Sequence, residues 1–150
     1  MTNTIEHEVW IAADQDRVFE AITTREGLDA WWGPCVAAEP KEGFVIELDH
    51  SLGDLLRFEI TELVPNERVV WTCASTFDDT SNPAAEWRGQ RLTFDLQPRR
   101  DHALLGVPRD VTVVRFQQTW PDDARWRGFC NAAWGQTLHN GLKDHCEEDA

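Results

Sequence analysis

The chain of 150 residues has no tyrosine, a single methionine and no apolar run approaching the length of a membrane helix. Without a run of about 18 apolar residues there is no helical span to propose. Cationic residues are also scarce: 14 Lys and Arg face 27 Asp and Glu, a net charge of −13. A chain this acidic repels phosphate backbones and anionic headgroups, so nucleic acid and membrane surfaces are poor partners. The densest basic cluster, Arg99-Arg100, is followed at once by Asp101. The opening MTNTIEHEVW has neither a basic stretch nor an apolar core, so no secretory signal is expected and the expected location is cytoplasmic.

Sequence motifs of metal, phosphate and nucleophilic chemistry are missing as well. Four cysteines, Cys35, Cys73, Cys130 and Cys146, are scattered with no C-x-x-C pair. If the last two share a helix, their separation turns them about 160° apart, which rules out a bridge within it. Buried thiols in a reducing compartment are the expectation. There is no H-E-x-x-H, and His139 and His145 fall about 240° apart on a helix. No glycine-rich phosphate loop occurs, PKEGF reading as a turn. LDHSLGD gathers Asp49, His50, Ser51 and Asp54, but no G-x-S-x-G elbow accompanies them and a turn explains them better. No metal, no cofactor and no catalytic residue is therefore assigned.

What is present is aromatic and periodic. Eight Trp and seven Phe carry all the large rings; composition drift and an aromatic-rich interior both account for that. Ile5, His7, Val9 and Ile11 alternate with Glu6, Glu8 and Trp10, the pattern of a half-buried strand. Asp14 is placed to cap a helix QDRVFEAIT, and Thr24 to cap a second, REGLDAW, which Gly33-Pro34 ends. Strands follow at 44–48, 55–63, 69–75, 91–97 and 111–120, with VPNER as a turn and with 78–86 and 98–110 as loops. The tail then changes period. Trp126, Cys130, Ala133, Trp134, Thr137 and Gly141 fall within roughly 100° on a helical wheel, and Phe129, Leu138 and Leu142 widen that stripe. Gly141 on the inward side suggests close approach to another element, whereas no role for Gly135 is evident.

The order strand, two short helices, about six strands and a long helix indicates α+β architecture with an antiparallel sheet. IAADQDRVFEAITTREGLDAWWGP, with Ala13, Val18, Phe19, Ala21, Ile22, Thr23, Leu28, Trp31 and Trp32, resembles the opening of the START-like (SRPBCC) superfamily. Within it, the stretch resembles the branch related to the C-terminal domain of the Hsp90 ATPase activator. FEITELVPNERVVWT, with Glu62, Pro65, Arg68, Val69, Val70, Trp71 and Thr72, resembles the segment that follows. RLTFDL resembles the next strand, and Trp134, Leu138 and Leu142 the closing helix. The loops and the polar Arg115, Gln117 and Gln118 depart from the pattern. The resemblance implies a helix-grip fold over residues 1–150 as one START-like domain: a curved antiparallel sheet of six or seven strands around a long C-terminal helix. It further implies a cavity for an apolar or amphipathic molecule, with a chaperone as a further partner.

On that reading the ligand-binding candidates are Trp32, Phe44, Ile46, Phe58, Trp71, Phe94, Phe116, Phe129 and Trp134, with the facing of Trp71 and Phe116 left open. Each is also explained by ordinary core packing, because burying a large aromatic is favourable without any ligand. Trp31 is expected to hold the short helices to the body, and Trp32 to turn toward the cavity entrance. An enzyme of cyclase or hydrolase type is the alternative, with Glu62, His50 and Arg115 as the groups it would use.

Overall fold

A computed structural model describes residues 2–50, 55–75, 83–101, 109–121 and 125–148. Seven strands form one antiparallel sheet: β1 (Thr2–Ile11), β2 (Cys35–Ala37), β3 (Val45–Leu48), β4 (Leu56–Val64), β5 (Arg68–Cys73), β6 (Arg91–Asp101) and β7 (Arg109–Pro121). Their spatial order is β1-β7-β6-β5-β4-β3-β2. The first strand thus pairs with the last, from Thr2 opposite Pro121 to Ile11 opposite Thr112. The remaining neighbours are sequential and antiparallel, with a tight hairpin between β4 and β5. Between β1 and β2 lie α1 (Gln15–Thr23) and α2 (Arg25–Trp31). The C-terminal helix is built from α3 (Arg127–Gln136), a wider π-type stretch (Thr137–Leu142) and α4 (Lys143–Glu147). Among the described residues no helix is long and apolar enough to cross a membrane.

The alternation read from the sequence sets the two faces of the sheet. Ile5, Val9 and Ile11 are buried, while Trp10 on the opposite face is 42% exposed. Phe58 and Ile60 on β4, Leu92, Phe94 and Leu96 on β6, and Val114 and Phe116 on β7 point into the same core. The outer face carries charge. Arg115 pairs with Glu8 at 3.0 Å, and Arg68 bridges Asp95 at 2.7 Å and Glu62 at 3.1 Å. Partly exposed pairs of this kind contribute about 0–1 kcal/mol each, and they mark this face as solvated.

Thr24 caps α2, its hydroxyl accepting from the Gly27 amide at 3.0 Å. Asp14 occupies the cap position of α1, but its side chain makes no capping bond. Gly27 is where the two short helices meet; a Cβ there would lie 2.6 Å from the Ala21 Cα. Two other readings are corrected. The short strand β2 was not anticipated, since three residues carry too little alternation to register. The segment 98–110, expected as a loop, is partly strand: Pro98 to Asp101 pair with Thr112 to Arg109. Pro98 is tolerated because β5 ends its pairing at Arg68 opposite Asp95, so the missing amide breaks no ladder bond on that side. Residues 102–108 of that segment, and most of the 78–86 loop, lie outside the described residues.

The C-terminal helix departs from a uniform wheel. Its buried positions are Cys130, Trp134, Leu138, Leu142 and Cys146, every fourth residue. A plain α-helix would swing such a row round by about 40° at each step. The wider π-type turns offset much of that drift, which keeps the row on the sheet and buries both Cys130 and Cys146. The row also excludes two residues placed on the stripe by the wheel: Ala133 is exposed, and Phe129 is 60% exposed. Gly141 behaves as expected, since a Cβ there would meet the Trp31 carbonyl oxygen at 2.8 Å. Gly135 gains an explanation: a Cβ would come within 3.1 Å of the His7 ring, whose Nε2 bonds the Asn131 carbonyl at 3.0 Å. All four cysteines are free and buried.

Candidate functional site

The site begins where α2 ends. Trp31 and Trp32 diverge, as neighbours on a helix must. Trp31 is buried and donates its indole N–H to the Ala21 carbonyl at 2.7 Å, which ties α2 to α1. Trp32, half-buried, sits at the hub of the aromatic interior. Its ring lies 5.9 Å from Trp31, 5.7 Å from Phe58, 5.8 Å from Trp71, 5.1 Å from Trp134 and 5.0 Å from His50.

Beneath this hub a row of rings crosses the sheet. Trp71 meets Phe94 at 4.7 Å, Phe94 meets Phe116 at 5.1 Å, and Phe116 meets Trp134 of the helix at 4.4 Å. Trp71 and Phe116, whose facing was open, both point inward. One polar side chain interrupts the floor. Gln118 is fully buried, accepting from the Trp134 indole N–H at 2.8 Å and donating to Gln90 at 2.6 Å. Gln90 in turn donates to the Glu86 carbonyl at 2.7 Å. Both Glu86 carboxylate oxygens then accept amides at the start of α3, from Arg125 at 2.7 Å and Trp126 at 2.6 Å. This chain fixes the one-turn helix Pro83–Trp87 against the C-terminal helix.

Where that short helix, the end of α2 and α3 come together, a cavity of about 190 Å³ remains. Trp32 and Trp134 form one side, Ala84 and Trp87 another. The helix adds Phe129, Cys130, Ala133 and Thr137, and the strand end adds Leu56; His50 completes the described lining. The walls are thus almost wholly apolar. His50 stands edge-on to Trp32 at 88°, and burial pushes its pKa below 6.5, partly opposed by Asp49. Among the described residues its buried Nε2 has no hydrogen-bond partner. Burial pushes the Cys130 thiol up to about 11, against a lowering contact from Trp87. Among the described residues no group of three or more His, Cys, Asp and Glu is placed to hold a metal ion.

Of the candidates read from the sequence, Trp32, Phe129 and Trp134 border this cavity. Phe58, Trp71, Phe94 and Phe116 are packed beneath them, Ile46 lies elsewhere in the buried core, and Phe44 packs against that core from a half-buried position. Of the three groups considered for catalysis, His50 alone borders the cavity. Glu62 and Arg115 are engaged in the outer-face ion pairs. The wider hollow of about 430 Å³ around Arg115 is lined mostly by charged groups, and there Gln117 also bonds Glu6 at 3.1 Å. Gln118 was legible in principle, because it falls in phase with Val114 and Phe116 on β7. Ala84 and Trp87 were not, since they belong to a single turn inside a stretch with loop composition.

An antiparallel sheet gripping a C-terminal helix, with a cavity under one end of that helix, defines a helix-grip α+β protein. The chain belongs to the activator of Hsp90 ATPase homolog 1-like protein family, whose model matches residues 12–147. The solution structure of the Aha1 dimer from Colwellia psychrerythraea is similar at a TM-score of 0.76 and 28% identity, over 97% of this chain and 96% of that one. The protein MLL2253 from Mesorhizobium loti matches at a TM-score of 0.72 and 21% identity, over 95% of each chain. CalU16 from Micromonospora echinospora shares the fold at a TM-score of 0.71 and 13% identity, over 99% of this chain and 77% of that one. No curated protein matches the sequence.

Proposed function

We propose that the protein binds a small, flat, mainly apolar molecule in the cavity walled by Trp32, Trp87 and Trp134. The observation that carries this is the cavity itself: about 190 Å³ of space beside an otherwise closely packed aromatic core. An apolar cavity of roughly 150 Å³ takes up benzene, whereas drug-sized ligands need roughly 300 Å³ or more. The occupant is therefore of one or two rings, smaller than a lipid or a polycyclic molecule. Burying roughly 200 Å² of such a ligand is worth about 5 kcal/mol at 25 cal/mol per Å², which corresponds to a dissociation constant on the order of 0.1–1 mM.

Binding is favoured over cyclase or hydrolase chemistry by what lines the space. General acid–base work calls for groups poised near the working pH. His50 is one such group, but Cys130, the other titratable group among the described lining residues, remains a protonated thiol. The reading is tested by titrating the protein with p-xylene and following its tryptophan indole N–H signals by NMR. The signals of Trp32, Trp87 and Trp134 move first, while that of the outward Trp10 stays. If no indole signal moves at millimolar p-xylene, the binding reading fails.

A second reading, contact with the chaperone Hsp90, is favoured by the family match over residues 12–147 and by the 28% identity to the Aha1 dimer. Retention of Hsp90 on the immobilised protein at micromolar concentration supports it, and absence of retention counts against it.

A further inference from the structure

We propose that the ligand carries a hydroxyl on its ring and that His50 is the residue that reads it. This rests on the binding reading above and names the ligand class for the same cavity. Three observations converge on His50. Its ring borders the cavity, held edge-on to Trp32 with centroids 5.0 Å apart. Its Nε2 is buried and, among the described residues, unpartnered. Gly33, at φ 133°, lies beside that nitrogen; a Cβ there would stand 3.3 Å from Nε2. Glycine at that φ sets bare backbone, and no side chain, against this flank of the ring.

An unpartnered buried nitrogen is costly, so a group that supplies the missing bond is retained preferentially. A hydroxyl suits the position better than other polar groups. It donates or accepts, so it satisfies Nε2 whichever ring nitrogen carries the proton. A carboxylate or ammonium would have to leave water for walls made of Trp, Leu and Ala, and would cost far more. Burial also disfavours the imidazolium that a carboxylate would need as its partner. The inferred occupant is a neutral phenol-like molecule of one or two rings, its hydroxyl on the His50 side and its apolar edge toward Trp87 and Ala133.

The test compares p-cresol with p-xylene, which match in size and differ in a hydroxyl against a methyl. Each is titrated calorimetrically into the wild-type protein, His50→Leu and His50→Gln. The p-cresol to p-xylene affinity ratio falls about tenfold in His50→Leu and recovers partly in His50→Gln. In the wild-type protein, where folding is not at issue, p-cresol shifts the His50 ring nitrogen signals by NMR and p-xylene leaves them nearly in place. If both probes bind, the ratio is the same in all three proteins and the His50 signals respond alike, the hydroxyl inference is overturned and the apolar binding site stands. If neither probe binds the wild-type protein at millimolar concentration, both readings fall together.

Discussion

The two ends of the C-terminal helix meet the body of the protein in different ways. At the α4 end the contact is sealed: Leu138, Leu142 and Cys146 are fully buried, and Gly141 brings the helix backbone onto the Trp31 carbonyl. The seal is reinforced by polar clamps. Arg17 donates to the Cys146 and His145 carbonyls at 2.8 and 3.0 Å, and Glu147 accepts the Ala12 amide at 2.8 Å. At the α3 end large rings replace aliphatic side chains. Trp134 lies 5.1 Å from Trp32 and 6.1 Å from Trp87, and a cavity remains beside the three rings. Close approach needs small residues at the contact, and a row of tryptophans props elements apart. One helix therefore both anchors the fold and roofs a cavity.

The largest expected effect separates the adjacent tryptophans that belong to these two ends. Trp31→Ala removes a buried ring and leaves the Ala21 carbonyl without its donor, and should cost about 3–5 kcal/mol. Trp32→Ala removes a half-buried ring that borders space, and should cost roughly 2–3 kcal/mol while enlarging the cavity. Urea denaturation of the two variants ranks them, and the reverse order would break the distinction between anchor and wall.

A smaller contrast comes from two glycines on the same helix. Gly141→Ala pushes a methyl into the Trp31 backbone and should destabilise by about 1–3 kcal/mol. Gly128 has nothing within 4 Å of the added Cβ, so Gly128→Ala should stabilise by up to about 1 kcal/mol through helix propensity. Melting temperatures that move the same way in both variants would show that the two ends are packed alike.

The smallest effect is electrostatic. The unfolded chain protonates His50 near 6.5, whereas the folded chain does so at a lower pH because the half-buried ring is desolvated. Between those values the unfolded state holds more protons, so stability falls as the pH drops below 6.5. Thermal melts from pH 7.5 downward should show a steeper loss for the wild-type protein than for His50→Leu. Equal slopes would mean that His50 is not held neutral beside the cavity.

The sequence disclosed the sealed regions more fully than the open one. Period-two alternation on β1, β4 and β6 sorted inner from outer residues correctly, because a one-residue error would have turned every charge into the core. Thr24, Gly33-Pro34 and the apolar tail located the helices for similarly local reasons. The cavity was harder to read. Aromatic candidates could be named, but whether a ring forms floor or wall depends on which element lies above it, and that is set by tertiary packing. Phe58, Phe94 and Trp134 all fall on inward faces by their own periodicities, yet Phe58 and Phe94 lie under the aromatic layer while Trp134 borders the space. Phe129 shows the complementary limit: a wheel with constant pitch turned it inward, and the π-type stretch is invisible in composition. His50 was noticed within a turn, and its meaning came from Gly33 and Trp32, residues distant in sequence that the fold brings beside it.

On the proposed function, the space under α3 takes up a small ring and is not a gap left by imperfect packing. Diffraction from crystals soaked in p-cresol tests it directly. The expected result is density for one ring among Trp32, Trp87 and Trp134, with its hydroxyl on the His50 side. An empty space there with the probe bound elsewhere, or the three tryptophans closed upon one another, would contradict it.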